Sequence, residues 1–194
     1  MKFIGLLLLV LGTRLAFAQE KEPPSPSDLS AHKCVYKNTF SDSARLTLYP
    51  FSTYRTVRLV SFRFHPNNLP VGDSKFERDS LVQDVALSKK QLLQLTDILY
   101  NNHTEGEVPS LESLCSFEPR NAILFFDINE RSGAYILICF HCMSYKKSHD
   151  DINFGEDCNE KLKNLRKFFV RNGVTFGTNT NTDRFPGETR SGSN

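Results

Sequence analysis

Two apolar runs, Ala122-Ile123-Leu124-Phe125-Phe126 and Ala134-Tyr135-Ile136-Leu137-Ile138-Cys139-Phe140, flank the turn-forming stretch Asp127-Ile128-Asn129-Glu130-Arg131-Ser132-Gly133. Runs of this length, rich in Ile and Phe and separated by Asp, Asn and Gly, predict an antiparallel β-hairpin over about 121–140. Neither run alternates between apolar and polar residues, so both faces of the hairpin have to be covered. The chain therefore needs a sheet with this hairpin at its centre and other elements packed against it.

Those other elements are legible from period and capping. Ser88-Lys89-Lys90-Gln91 matches a capping box and opens a helix of about 88–100, with Leu92, Leu95, Ile98 and Leu99 on one face. A second capping box, Asp157 with Glu160, predicts a helix of about 158–171 that carries Leu162, Leu165, Phe168 and Phe169 inward and stops at Gly173. Arg55 to Phe64 has strand composition, but its apolar parity changes after Leu59, which implies a β-bulge or a strand covered on both faces. Asn101 to Gly106 reads as a polar loop. Strands and helices do not alternate in βαβ fashion, so the fold class is α+β, an antiparallel sheet packed by two main helices.

The chain of 194 residues begins with Met1-Lys2, an apolar core from Phe3 to Leu11, and the small-x-small triplet Ala16-Phe17-Ala18. That is the layout of a cleavable signal peptide, 1–18, whose apolar core is too short to span a bilayer. A secreted or periplasmic location follows, with no transmembrane segment after cleavage. Without Lys2 and Arg14, 22 basic residues face 22 acidic ones. Such a balance argues against nucleic acid as a partner. Residues 19–30, with Pro23, Pro24 and Pro26, read as a flexible spacer, 31–176 as a single domain, and 177–194 as a polar tail too poor in apolar surface to fold.

Five cysteines remain after the signal: Cys34, Cys115, Cys139, Cys142 and Cys158. In an exported chain the default is one or two disulfides, with the remainder packed as small hydrophobes. If the hairpin turns around Asn129 to Ser132, Ala122 lies opposite Cys139 and Cys115 comes beside Cys142, so Cys115 with Cys142 or with Cys158 is the pairing to test. Cys158, just after the predicted cap Asp157, would feel the positive end of the helix dipole, opposed by Glu156, Asp157 and Glu160. A zinc site drawn from Cys115, Cys139, Cys142, Cys158 and His141 is the alternative, because Cys139-Phe140-His141-Cys142 has the spacing of a metal knuckle. It lacks the matching second pair. Thiol exchange through Cys139 and Cys142 is disfavoured because no helix follows the pair.

Other motifs point to ordinary structure. His141 beside Cys142 has no third orienting group for a nucleophilic dyad. His149-Asp150-Asp151 with Glu156 and Asp157 lacks the spacing of a calcium loop. Arg120, expected near Asp127 across one strand, reads as an ion-pair partner, and Asn102-His103-Thr104 fits a glycosylation sequon.

The pattern Cys115-x3-Pro119-Arg120 followed by Ile138-Cys139-Phe140-x-Cys142 resembles a group of uncharacterised small bacterial exported or lipoprotein-like proteins, as do Leu46-Thr47-Leu48-Tyr49-Pro50 and Ile98-Leu99-Tyr100. The resemblance spans residues 45 to 173. It implies a bacterial envelope or secreted location, places Cys115, Pro119, Arg120, Cys139 and Cys142 in the group's motif, and carries no established activity. The functional expectation is a non-enzymatic binding or envelope-associated module with a protein or envelope partner, stabilised by its cysteine cluster. The alternative is zinc binding or thiol redox chemistry at Cys139, Cys142 and Cys158.

Overall fold

The computed structural model describes residues 33–66, 69–72, 75–106, 115–158 and 160–179. The predicted signal peptide, the predicted spacer and the residues beyond Asn179 lie outside them. In chain order the elements are β1 (Lys33–Tyr36), α1 (Asp42–Leu46), β2 (Thr56–Phe62), β3 (Val71–Gly72), β4 (Lys75–Phe76), β5 (Leu81–Ala86), α2 (Lys89–Tyr100), β6 (Asn102–Glu105), β7 (Asn121–Phe126), β8 (Ser132–Cys139), β9 (Ser144–Lys147) and α3 (Lys161–Arg171).

The main sheet has the order β5-β2-β7-β8-β9, and every neighbouring pair in it is antiparallel. The expected hairpin is β7–β8, near its middle. Its turn is organised by Asp127, whose Oδ1 accepts the backbone N–H of Asn129 at 2.8 Å and of Arg131 at 2.9 Å. These bonds, more than the Arg131 guanidinium, hold the exposed Asp127 carboxyl below its ordinary pKa. Ala122 pairs with Leu137 rather than with Cys139, because the turn is centred earlier than predicted and the register shifts between Phe125 and Phe126.

All six residues of β7 are buried, which is why its sequence does not alternate. Ile123 and Phe125, with Val57, Leu59, Ile136 and Ile138, face the helices. Ala122, Leu124 and Phe126, with Val60, Phe62 and Leu137, face away and are covered by Leu69, Phe76, Leu81 and Phe117. The parity change within residues 55–64 has both anticipated causes: β2 is covered on both faces, and its pairing with β5 shifts at Ser61 and Phe62.

Helix α2 begins with the predicted capping box. Ser88 Oγ accepts from Gln91 N at 3.4 Å, while Ser88 N donates to Gln91 Oε1 at 2.8 Å. Leu95 and Leu99 are fully buried, Leu92 and Ile98 half-buried. Helix α3 buries Leu162, Leu165, Phe168 and Phe169, each worth about 2 kcal/mol of transfer free energy.

Helix α3 starts three residues later than predicted, and the second capping box does not form. Asp157 is engaged elsewhere: its carboxylate accepts the Tyr145 hydroxyl at 2.9 and 3.1 Å, and its carbonyl accepts from the Thr104 hydroxyl. Cys158 is joined to Cys34. These contacts hold 157–158 out of helical geometry, and Glu160 becomes the N-cap without a side-chain bond.

The first helix and most of the shorter strands have no counterpart in the sequence expectations. Helix α1 is capped by Ser41 and anchored by Arg45, which is buried and donates to Thr96 Oγ1, Phe40 O and Asp42 Oδ1. The expected loop at 101–106 is instead strand β6, which pairs with β1 in a two-stranded ribbon.

Candidate functional site

The cysteines are divided between two places. Cys115, just before β7, is bonded to Cys142 in the turn between β8 and β9, with Cα atoms 5.6 Å apart. Cys34 of β1 is bonded to Cys158, with Cα atoms 5.1 Å apart. The first is one of the two anticipated pairings of Cys115; the second recruits Cys34, which stands outside the resembling motif. Cys139 is a buried thiol at the end of β8, and His141 is exposed in the following turn. The residues of the alternative zinc set, Cys115, Cys139, Cys142, Cys158 and His141, are therefore not brought together. Cys139 and Cys142 are not bonded to each other.

Three other sequence candidates are also placed. Arg120 lies 3.6 Å from Glu118, whereas Asp127, at the other end of β7, pairs with Arg131 at 3.2 Å, so the expected Arg120–Asp127 pair does not occur. The Asn102 amide donates to Ile98 O at 3.0 Å, so the sequon asparagine caps the end of α2. Glu156 and Asp157 turn toward His103 and Tyr145 and do not converge with His149, Asp150 and Asp151. Among the described residues no cluster of three or more His, Cys, Asp or Glu is arranged to hold a metal ion.

A buried polar network surrounds Lys161, at the start of α3. Its ammonium is buried and donates to Leu99 O at 2.8 Å, Phe154 O at 3.1 Å and Glu156 O. Three donors meet three carbonyls, so the ion is fully satisfied where a lysine is seldom found. Burial pushes its pKa from 10.5 to about 8, against the opposing pull of Asp157 and Glu156. Gly155, with φ of +71°, has no room for a Cβ beside Leu99 O and the ammonium.

A second chain of bonds joins this cage to the β1–β6 ribbon. Thr39 Oγ1 lies 3.1 Å from His103 Nε2, and His103 Nδ1 lies 2.9 Å from Glu156 Oε1. Thr104 N donates to Glu156 Oε2 at 2.9 Å. The bond from His103, then that from Thr104, holds the Glu156 carboxyl below its ordinary pKa. The order hydroxyl, imidazole, carboxylate is that of a nucleophile relay. Here Thr39 is exposed and outside the groove described next, and the chain of bonds clasps the ribbon to residues 153–158.

An open groove of about 1040 Å³ runs along the outer side of α3. One wall is the helix, whose inner face is committed to the core and whose outer face presents Arg166, Lys167 and Arg171. The opposite wall is the strap Thr175–Asn179. Ile98, Val170 and Phe176 supply its apolar surface, and Val170 is 46% exposed.

The strap is locked to the sheet. Gln83 Oε1 accepts from Thr175 N at 2.9 Å and Phe176 N at 2.8 Å, and Gln83 Nε2 donates to Gly173 O at 2.9 Å. Asn121 Nδ2 donates to Phe176 O at 2.9 Å. Gly177 has φ of +76°, and a Cβ there would meet Arg120 Cβ and Asn121 Oδ1, each at 2.6 Å. Gly177–Asn179, assigned to the tail from composition, are thus part of the wall.

Among the described residues, none of Arg166, Lys167 and Arg171 makes an ion pair and no acidic residue lines the groove. A chain whose predicted mature charge is balanced therefore gathers beside an apolar surface three cations with no ion pair among the described residues. The sequence marked only the inward, apolar residues of this helix, and the wall opposite the three cations depends on Gln83 and Asn121, far away in the chain.

Fold and site together define an α+β domain with two disulfides and a basic groove on its C-terminal helix. Compared with family models, with curated proteins and with solved structures, the chain matches none.

Proposed function

We propose that this chain is an exported, non-enzymatic binding module of the cell envelope or the extracellular space, with the α3 groove as its binding face. The observation that carries the reading is the set of three cations, Arg166, Lys167 and Arg171, without an ion pair among the described residues, beside an apolar surface and opposite a strap locked by Gln83 and Asn121. Pockets for ligands combine apolar surface with a few convergent polar groups on a preformed scaffold, which is this arrangement. Export is supported by the signal-like start and by two disulfides, which persist in oxidising compartments. Among the described residues no helix is long and apolar enough to cross a membrane. The envelope location also rests on the resemblance to small bacterial exported proteins.

The test has two parts. Protein isolated from its native compartment is examined by intact mass and disulfide mapping, with the expectation of a start at Gln19, Cys34–Cys158 and Cys115–Cys142 bonds, and one thiol at Cys139. Partner capture from the same compartment is then compared for the native chain and a variant carrying Arg166→Gln, Lys167→Gln and Arg171→Gln. Four reduced cysteines with stoichiometric zinc, or undiminished capture by the variant, overturns the proposal.

A further inference from the structure

The groove's chemistry narrows what it takes, and the inference rests on the groove being the binding face. We infer that its ligand is a short acidic segment of another protein, in which carboxylates flank an aliphatic or aromatic side chain. From Asn164 to Arg171 the helical wall covers eight residues, whose seven rises of about 1.5 Å give about 10 Å. Lys167 and Arg171 are four residues apart, so they neighbour each other on one side of the helix, with Val170 between them in sequence. A ligand with a single anionic head would leave part of this cationic set unused. An extended peptide with carboxylates a few residues apart engages two or three of the cations.

The apolar component argues against a purely ionic polymer. Val170 remains half-exposed and Ile98 half-buried beside the cations, and a phosphate or sulfate chain gains nothing from covering them. Arginine is suited to carboxylates because its planar fork pairs bidentately. An open groove of about 1040 Å³ is at the upper end of the roughly 300–1,000 Å³ of small-molecule pockets and accommodates a peptide segment without closing over it. The balanced charge predicted for the mature chain as a whole means the attraction is local, so recognition requires the apolar contact as well as the charges.

The experiment is selection of a random heptapeptide display library on the oxidised full chain, followed by titration of synthetic versions of the enriched peptides. The expected peptides carry at least two Asp or Glu residues around a Leu, Ile or Phe. They shift the backbone amide resonances of Lys167, Val170, Arg171, Thr175 and Phe176. Replacing Arg166, Lys167 and Arg171 together by Gln, at exposed or half-exposed positions, leaves the fold intact by circular dichroism and weakens binding about tenfold or more. Val170→Ser weakens it by a few-fold through the apolar contact alone.

No enrichment, enrichment of neutral or basic peptides, or equal binding to the triple variant overturns the inference. A parallel titration with inorganic polyphosphate separates that failure from failure of the groove itself. If polyphosphate shifts the groove resonances and acidic peptides do not, the groove is an anion site for non-peptide ligands. If neither does, the binding-face reading falls with the inference.

Discussion

Replacing Lys161 by Met retains an unbranched stem of similar length but removes the ammonium from its cage. Three charge-assisted bonds, to Leu99, Phe154 and Glu156 carbonyls, are lost. At about 2 kcal/mol each they amount to about 6 kcal/mol. Removing the charge also relieves its burial. The pKa fall from 10.5 to about 8 corresponds to about 3 kcal/mol at about 1.36 kcal/mol per unit. The net destabilisation expected at neutral pH is about 3 kcal/mol, or roughly 10 °C in Tm for a domain of this size.

The pH dependence tests the same reasoning independently. Between pH 8 and 10.5 the unfolded chain retains a proton on Lys161 that the folded chain has released. Stability contributed by this residue therefore rises with pH across that window. Urea unfolding of the native chain and of Lys161→Met, followed from about pH 7 to about pH 9.5, should show their difference growing by about 2 kcal/mol. Subtracting the variant removes the contributions common to both proteins, including those of Tyr49, Tyr100 and Tyr145, whose pKa values burial raises. A variant within about 1 kcal/mol of the native chain at neutral pH would show that the cage is not a major source of stability. A difference that shrinks as pH rises would show that the folded chain holds the Lys161 proton more tightly than the unfolded chain, opposite to the direction set by burial.

Other expectations are equally direct. In urea unfolding, removal of Cys34–Cys158, which spans 124 residues, should cost more than removal of Cys115–Cys142, which spans 27, at about 5 against about 3.5 kcal/mol by loop entropy. Gly177→Ala should destabilise by about 1–3 kcal/mol and release the strap; unchanged hydrogen-exchange protection of the Thr175 and Phe176 amides would contradict the packing described. Glu156, whose pKa is lowered by His103 and Thr104, stabilises the fold above its ordinary 4.5, and that contribution disappears as pH falls through the folded value. Glu156→Gln should therefore flatten the acid limb of a stability–pH profile, and an unaltered limb would remove the clasp from the account.

The central hairpin, the capping box of α2 and the inward faces of both long helices were legible in the sequence because each depends on neighbours within a few residues. Apolar period, turn residues and caps are local signals, and β7, α2 and the buried side of α3 followed them. The start of α3 did not, since Tyr145, Thr104 and Cys34 hold Asp157 and Cys158 away from the local helix preference. The β1–β6 ribbon escaped the reading for the same reason: Lys33–Tyr36 and Asn102–Glu105 become strands through each other, across a long separation.

The same division separates the chemistry. The cysteines and the balanced predicted charge were apparent from the chain, including the Cys115–Cys142 pairing as one of two possibilities. Cys34–Cys158 became evident only when the ribbon met the segment before α3. Lys161 and Lys163 look alike in sequence, yet one is buried among three carbonyls and the other is exposed beside Glu160. Only the inward face of α3 was read from the sequence, and what makes its basic residues part of a groove is the strap that Gln83 and Asn121 hold opposite them. Composition and local period determine which elements form and which sides face inward. Which polar groups become caged, and which cations are left unpaired beside an apolar surface, is decided by contacts between residues that only the folded chain brings together.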